Sequence, residues 1–330
     1  MKKKSQKTLI GLDEIVLSIE SKNIKPKETE LFSKSTGIKI GEITPTKTGF
    51  HLSINFPKMI RSDNVVPFTL VDCKELAKIT DELKKQLEET FSVTLDKAIV
   101  DSVEINATAE LEDKNNVNSI MNLLGLMFLQ GGQKVYFTAR GKKRKCYEDF
   151  NKDVLQNDCQ IESLKTPRLS NKRFAWKFYN KGLEQGITDR GIIRFEQCHN
   201  SFSLDWSGIP RKLDAFLTAP SIGKLIFVYR QNFREYFINI FWKDRNHAFT
   251  DTCINTILYE LQEESPLSVA KIHRTLIEID FSFFEKACYQ FYANRKTAQQ
   301  TIRRIKNSGK IEVNKGAVTE LVEIFRAIIY

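Results

Sequence analysis

The chain has 330 residues, 41% hydrophobic and 28% charged, with a formal net charge of +10. It has enough apolar material for a large core, and its basic excess points to a polyanionic partner, nucleic acid or an anionic membrane surface. No apolar run approaches the roughly 18 residues that span a bilayer, so a membrane helix is excluded.

The cysteines and histidines narrow the chemistry. The six cysteines are scattered, without a C-x-x-C pair or zinc-ligand spacing, and read as free thiols in a reducing cytoplasm. The four histidines are isolated, which argues against a histidine-clustered metal site. The basic excess also fits a merely lysine-rich, solvated surface.

In chain order, the opening "MKKKSQKTLIGLDEIVLSIES" starts basic, but Asp13 and Glu14 break its apolar run and make it a poor secretory signal. Residues 38–56 alternate about a turn near Pro45–Gly49 and predict a β-hairpin. Residues 72–91 place Leu76, Ile79, Leu83 and Leu87 at helical spacing behind Asp72, a candidate cap. A strand over 97–111 precedes an apolar helix over 116–130, stopped by Gly131–Gly132. A strand over 134–140 runs into the basic stretch "GKKRK". Residues 146–170 read as a loop with a short helix. Strands follow at 173–181 and 191–198, then an apolar stretch over 224–242 read as helix, and a helical pattern from about 248 onward. The sum is an α+β fold. A central, mostly antiparallel sheet with helices on one face occupies residues 1–245, and a helical, winged-helix-like unit occupies 246–330.

Three of these strands share a design. Val103, Ile105 and Ala107 oppose Glu104, Asn106 and Thr108; Phe174, Trp176 and Phe178 oppose Lys177 and Tyr179; Ile193 and Phe195 oppose Arg194 and Glu196. If the strands are neighbours in an antiparallel sheet, the polar sides converge. Two carboxylates there can hold a hard divalent cation, Mg²⁺ or Mn²⁺. A tyrosine oxygen beside it can attack phosphorus, with a lysine steadying the phosphate. The same pattern also fits ordinary solvent-facing residues with cross-strand Glu–Lys pairs.

The pieces "SVEINAT" (102–108), "FYNKGLE" (178–184) and "IRFE" (193–196) occur in an order that resembles the rolling-circle replication initiators. They are similar to the staphylococcal-type plasmid initiators of the Rep_trans family and to the filamentous-phage gene II/X type. The resemblance covers roughly residues 97–200. It implies that Tyr179 is the nucleophile and that Glu104 and Glu196 hold the metal, with Glu184 a further acidic candidate and Asn106 able to ligate through its carbonyl; Lys177 and Lys181, on the same stretch, are read as holding phosphate near Tyr179. Asn106 departs from the family pattern, which often has a second aspartate there; this weakens metal binding or marks a relative that has lost nicking. Tyr136 and Tyr147 are alternative tyrosines.

Residues 295–310 carry Arg295, Lys296, Arg303, Arg304, Lys306 and Lys310 with no acid. "TAQQTIRRIKNSGKIEV" resembles the recognition helix and first wing strand of a winged helix-turn-helix, with Ile302 and Ile305 turned to the core and Gly309 ending the helix. A surface helix closing a bundle is the plainer alternative. Lys142, Lys143, Arg144 and Arg194 join the basic helix as candidate DNA contacts. Two functions follow. One is an origin-specific, tyrosine-dependent DNA nicking and joining enzyme acting on double- and single-stranded DNA, with a host helicase and a homodimer as further expected partners. The other is a non-catalytic origin-binding initiator or repressor.

Overall fold

A computed structural model of the chain describes residues 8–21, 29–33, 36–94, 97–130, 136–139, 142–145, 161–166, 174–241, 245–272, 281–308 and 316–330. The described strands form one ten-stranded sheet. They are β1 (Thr8–Glu20), β2 (Thr29–Phe32), β3 (Lys39–Pro45), β4 (Gly49–Asn55), β5 (Ala98–Glu110), β6 (Tyr136–Ala139), β7 (Lys142–Lys145), β8 (Ile161–Lys165), β9 (Phe174–Asn180) and β10 (Ile192–Asn200). Their order across the sheet is β2-β3-β4-β1-β5-β10-β9-β8-β6-β7, and every neighbouring pair is antiparallel.

The helices are α1 (Leu76–Phe91), α2 (Asn116–Gln130), α3 (Lys181–Glu184), α4 (Ser201–Trp206), α5 (Leu213–Phe216), α6 (Ala219–Phe241), α7 (Arg245–Glu263), α8 (Pro266–Ile272), α9 (Ser282–Phe291), α10 (Arg295–Lys306) and α11 (Ala317–Ile329). Alternation along the central strands gives the sheet one apolar face, as period-2 patterning requires. On that face Trp176 packs against Tyr229, Phe233, Tyr236 and Phe237 of α6. Phe325 of α11 meets Phe195, Phe233 and Phe237. α2 lies against β8 and β9. This aromatic layer is the centre of the core. α11 is fastened to the sheet region at its first turns as well: Glu320 accepts from the Glu112 backbone N–H and from Asn116 Nδ2 (2.8 Å), at the N-terminus of α2.

On the opposite face, the Asn64 and Val65 carbonyls of the segment after β4 sit on Arg194 of β10, and Phe68 pairs in the sheet plane with the free edge of β1. Leu12 and Phe68 exchange backbone hydrogen bonds of 2.8 and 2.9 Å. Gly11 permits this approach, because a Cβ there would lie 2.1 Å from the Phe68 carbonyl oxygen.

The structure corrects several local readings. The start of the chain holds β1, the long strand Thr8–Glu20, beside the sheet's centre. Ile161–Lys165, expected within a loop-and-helix stretch, is strand β8, and the basic run is the edge strand β7. Asp72 is not the cap of α1. It sits in a 3₁₀ turn, Leu70–Glu75, where its carboxylate accepts from the Thr69 N–H at 2.8 Å, and α1 begins at Leu76. Cys73, Cys198, Cys253 and Cys288 are in no disulfide. Gly131–Gly132, Tyr147, Gly309, Lys310 and the expected wing strand fall outside the described residues.

Candidate active site

β5, β10 and β9 are adjacent, so the three polar strand faces form one surface. Across it Asn106 pairs with Glu196 and Glu196 with Lys177; in the next row Thr108 pairs with Arg194 and Arg194 with Tyr179. The Tyr179 hydroxyl donates to Glu196 Oε2 at 2.9 Å, and Lys177 Nζ lies 3.5 Å from Glu196 Oε1. Lys177 Nζ also stands 4.4 Å from the centre of the Tyr179 ring, with Lys181 Nζ at 5.7 Å.

A third acid enters from β1. Leu12 pairs with Ile105 and Glu14 with Glu104, leaving Asp13 as an extra residue in the ladder. This β-bulge changes the phase of the strand. Leu12 points to the core before it; Ile15, Leu17 and Ile19 do so after it. One carboxylate oxygen from each of Asp13, Glu104 and Glu196 lies within 4.8 Å of the others.

Arg194 anchors this arrangement from below. Its guanidinium donates to Asp13 Oδ2 (2.7 Å), Thr108 Oγ1 (3.0 Å), the Val65 carbonyl (2.9 Å) and the Asn64 carbonyl. It is 0% exposed. The DNA contact read for it from the sequence is therefore corrected: a guanidinium enclosed by four acceptors does not reach a phosphate outside.

The electrostatics reflect crowded acids. Burial pushes the Glu104 carboxyl up to about 8, reinforced by the charges of Glu196 and Glu14. Burial, then Glu196, raises the Tyr179 phenol well above its ordinary value. Burial works against the Lys177 ammonium, but Glu196 and Glu104 outweigh it and hold its pKa above the usual lysine value. Lys181, enclosed and near Arg194, is lowered. Asp13 gives one oxygen to Arg194, while its Oδ1 is buried without a hydrogen-bond partner. Three hard oxygen donors, one orphaned oxygen and a carboxyl raised by burial and then by neighbouring acids together suit a divalent cation such as Mg²⁺ or Mn²⁺.

The other expected residues are placed as follows. Glu104 and Glu196 stand in the acidic cluster. Glu184 does not; it pairs with Lys181 on α3, and that pairing outweighs burial and holds its carboxyl below the ordinary range. Asn106 is buried on the right face, but its Oδ1 accepts from Thr108 Oγ1 at 2.9 Å. The third carboxylate is Asp13, which sequence reasoning missed. Two acids inside an otherwise apolar strand were the available signal.

Lys143 is exposed on β7, and Lys142 and Arg144 flank it there. Arg295, Lys296, Arg303, Arg304 and Lys306 are exposed on α10, whose Ala298, Ile302 and Ile305 are buried. α10 packs against α9 and α8, and Asn294 caps it by accepting from the Lys296 N–H at 2.9 Å. The site thus lies far along the chain from the basic helix.

No protein-family model matches the chain, and no curated protein matches it. Among solved structures it is similar to a rolling circle replication initiator protein from Geobacillus stearothermophilus, with a TM-score of 0.29 and 10% sequence identity, over 59% of this chain and 75% of that one. Among the described residues no helix is long and apolar enough to cross a membrane.

Proposed function

We propose that this chain initiates rolling-circle replication by cutting one DNA strand at an origin, with Tyr179 as the nucleophile. The observation that carries the reading is the 2.9 Å hydrogen bond from the Tyr179 hydroxyl to Glu196, inside a cluster with Asp13 and Glu104. A buried tyrosine bonded to a carboxylate has both an attacking oxygen and a base to take its proton. The sequence resemblance of "SVEINAT", "FYNKGLE" and "IRFE" supports the same assignment.

In the step we assign, Tyr179 Oη bonds to the scissile phosphorus as the bond from phosphorus to the 3′-oxygen breaks. The phenolic proton passes to Glu196 Oε2. The leaving 3′-oxygen takes a proton from water and becomes the primer hydroxyl, while the 5′ end stays on Tyr179. Attack by a 3′-hydroxyl on that phosphotyrosine reverses the step and rejoins the strand. Lys177 and Lys181 flank the ring and offset negative charge that builds on the phenolic oxygen. Asp13, Glu104 and Glu196 would hold the divalent cation, whose chemistry is to polarise a phosphoryl oxygen and neutralise charge at phosphorus. The raised phenol keeps Tyr179 protonated until the phosphate arrives.

Residues 246–330 are assigned to holding origin duplex. α9 and α10 have the sequence order of a helix-turn-helix, and the exposed basic side of α10 suits the major groove. Incubation with supercoiled origin DNA and Mg²⁺ or Mn²⁺ tests the whole reading. Relaxation with protein covalently attached to DNA is the expected result. A gel shift without relaxation or adduct would instead identify a non-catalytic origin binder.

A further inference from the structure

The polar face of the sheet is covered over one half and open over the other. Around Arg194 the Asn64 and Val65 carbonyls of the segment after β4 lie on it, and Asn106, Arg194 and Glu196 are buried. Beyond β9 the same face reaches solvent. Register carries two rows outward from the site. From Glu196 one row runs through Lys177, Lys165 and Tyr136; from Arg194 the other runs through Tyr179, Ser163, Thr138 and Lys143. Lys165, Tyr136 and Lys143 are exposed, and Ser163 and Thr138 are partly so. The alternating Leu164 and Phe137 are buried on the other face. With strands about 4.8 Å apart, the rows extend roughly 14 Å from β9 to β7.

Two features of these rows call for an anion with flat, unpaired rings. Lys165 and Lys177 are directly opposed across β8 and β9, where like charges repel. Lys177 is answered by Glu196, but Lys165 makes no ion pair with any described residue. Beside Lys165 in the same row, Tyr136 is 48% exposed. Cations tracking a backbone, interleaved with an exposed aromatic, are the elements by which single strands bind; a duplex keeps its base faces inside.

We propose that the open half of the sheet, β8-β6-β7, is a track for single-stranded DNA leading to Tyr179. Lys177, Lys165 and Lys143 contact successive phosphates, and a base stacks on Tyr136. The track rests on the nicking role assigned to Tyr179, since it delivers the strand to that oxygen.

The test uses the full chain with a labelled oligodeoxythymidine and, separately, a duplex of the same length. Affinity is measured by fluorescence anisotropy across a salt series, alongside the yield of covalent adduct on origin single strand. Lys165→Glu and Tyr136→Ala should each weaken single-strand binding about tenfold, with duplex binding unchanged. Lys165→Ala should lower the single-strand salt slope by about 0.7. Lys84→Glu on the exposed side of α1 serves as the charge-matched control and should change neither. Wild-type single-strand affinity in the Lys165 and Tyr136 variants would overturn the track while leaving nicking by Tyr179 intact, as would equal losses on single strand and duplex. Selective loss of single-strand binding in the Lys165 and Tyr136 variants, together with no adduct from the wild-type protein, would uphold the track and remove the nicking role.

Discussion

Asp13 reaches Glu104 because the register of β1 against β5 slips by one residue at that point, and their carboxylate oxygens come within 4.8 Å. Without the bulge, Ile15, Leu17 and Ile19 would turn toward the polar face and their burial would be lost. One inserted residue thus keeps the core phase and supplies a third acid.

Asp13→Asn should weaken Mn²⁺ binding at least about tenfold, a loss typical of disturbing a metal's ligand sphere. Isothermal titration calorimetry measures it. Glu184→Gln should leave the affinity close to wild type, because Glu184 lies outside the cluster. The reverse ranking would restore Glu184 as a ligand and remove Asp13.

Glu104 sets a pH dependence. Its carboxyl sits at about 8 folded, against 4.5 for an ordinary glutamate, so the folded state holds the extra proton between those values. Stability contributed this way is lost as pH rises through the window. His199 acts with the opposite sign at the acid end, because burial lowers it to about 4 from 6.5. The clean interval is therefore about pH 6.5 to 8. Urea midpoints should fall there by the equivalent of about 1–2 kcal/mol in the metal-free protein. They should stay flat in Glu104→Gln, and Mg²⁺ should raise them more at the alkaline end, where it has no proton to displace. A wild-type midpoint that rises over this interval would contradict the assignment.

Tyr179→Phe should abolish the DNA adduct while single-strand binding persists, since only the attacking oxygen is removed. It should also cost about 1–2 kcal/mol of stability, because Glu196 Oε2 loses its donor in a buried setting. Glu196→Gln should leave a slow, metal-hungry enzyme. Adduct yield across a Mn²⁺ titration measures both, and a normal adduct from Tyr179→Phe would move the chemistry to another tyrosine.

Arg194→Met should destabilise the fold by about 3–5 kcal/mol, the usual cost of stranding a buried carboxylate such as Asp13. Arg194→Lys should recover only part of it, because an ammonium cannot span Asp13, Thr108 and two carbonyls at once. Chemical denaturation reads the difference. A near-neutral Arg194→Met would mean that the guanidinium is not what holds the 64–68 segment down.

Arg303→Ala with Arg304→Ala should reduce the slope of log affinity against log salt for duplex by about 1.8, if each side chain neutralises one phosphate. An unchanged slope would place the duplex elsewhere.

Much of this architecture was legible because it obeys simple periods. Phe174, Trp176 and Phe178 alternate with Lys177 and Tyr179, and the same period in β5 and β10 put Glu104, Tyr179 and Glu196 on one surface. Asp13 was hidden by the bulge, which breaks the period where the acid enters. Arg194 was misread because alternation gives the face a residue occupies but not what lies over that face; the covering carbonyls come from Asn64 and Val65, remote in sequence. β8 escaped because Ile161–Lys165 is short and sits inside a polar stretch, and its partners β6 and β9 come from separate parts of the chain.

The return of α11 to the sheet has a mechanical consequence. The helices α7 to α10 are joined to the body at both ends, by α6 on the way out and α11 on the way back, and both insert aromatic side chains behind β9 and β10. A pull on that helical arm is therefore shared between two anchors rather than swivelling about one. It arrives at the back of Phe195, one residue from Glu196 on the front.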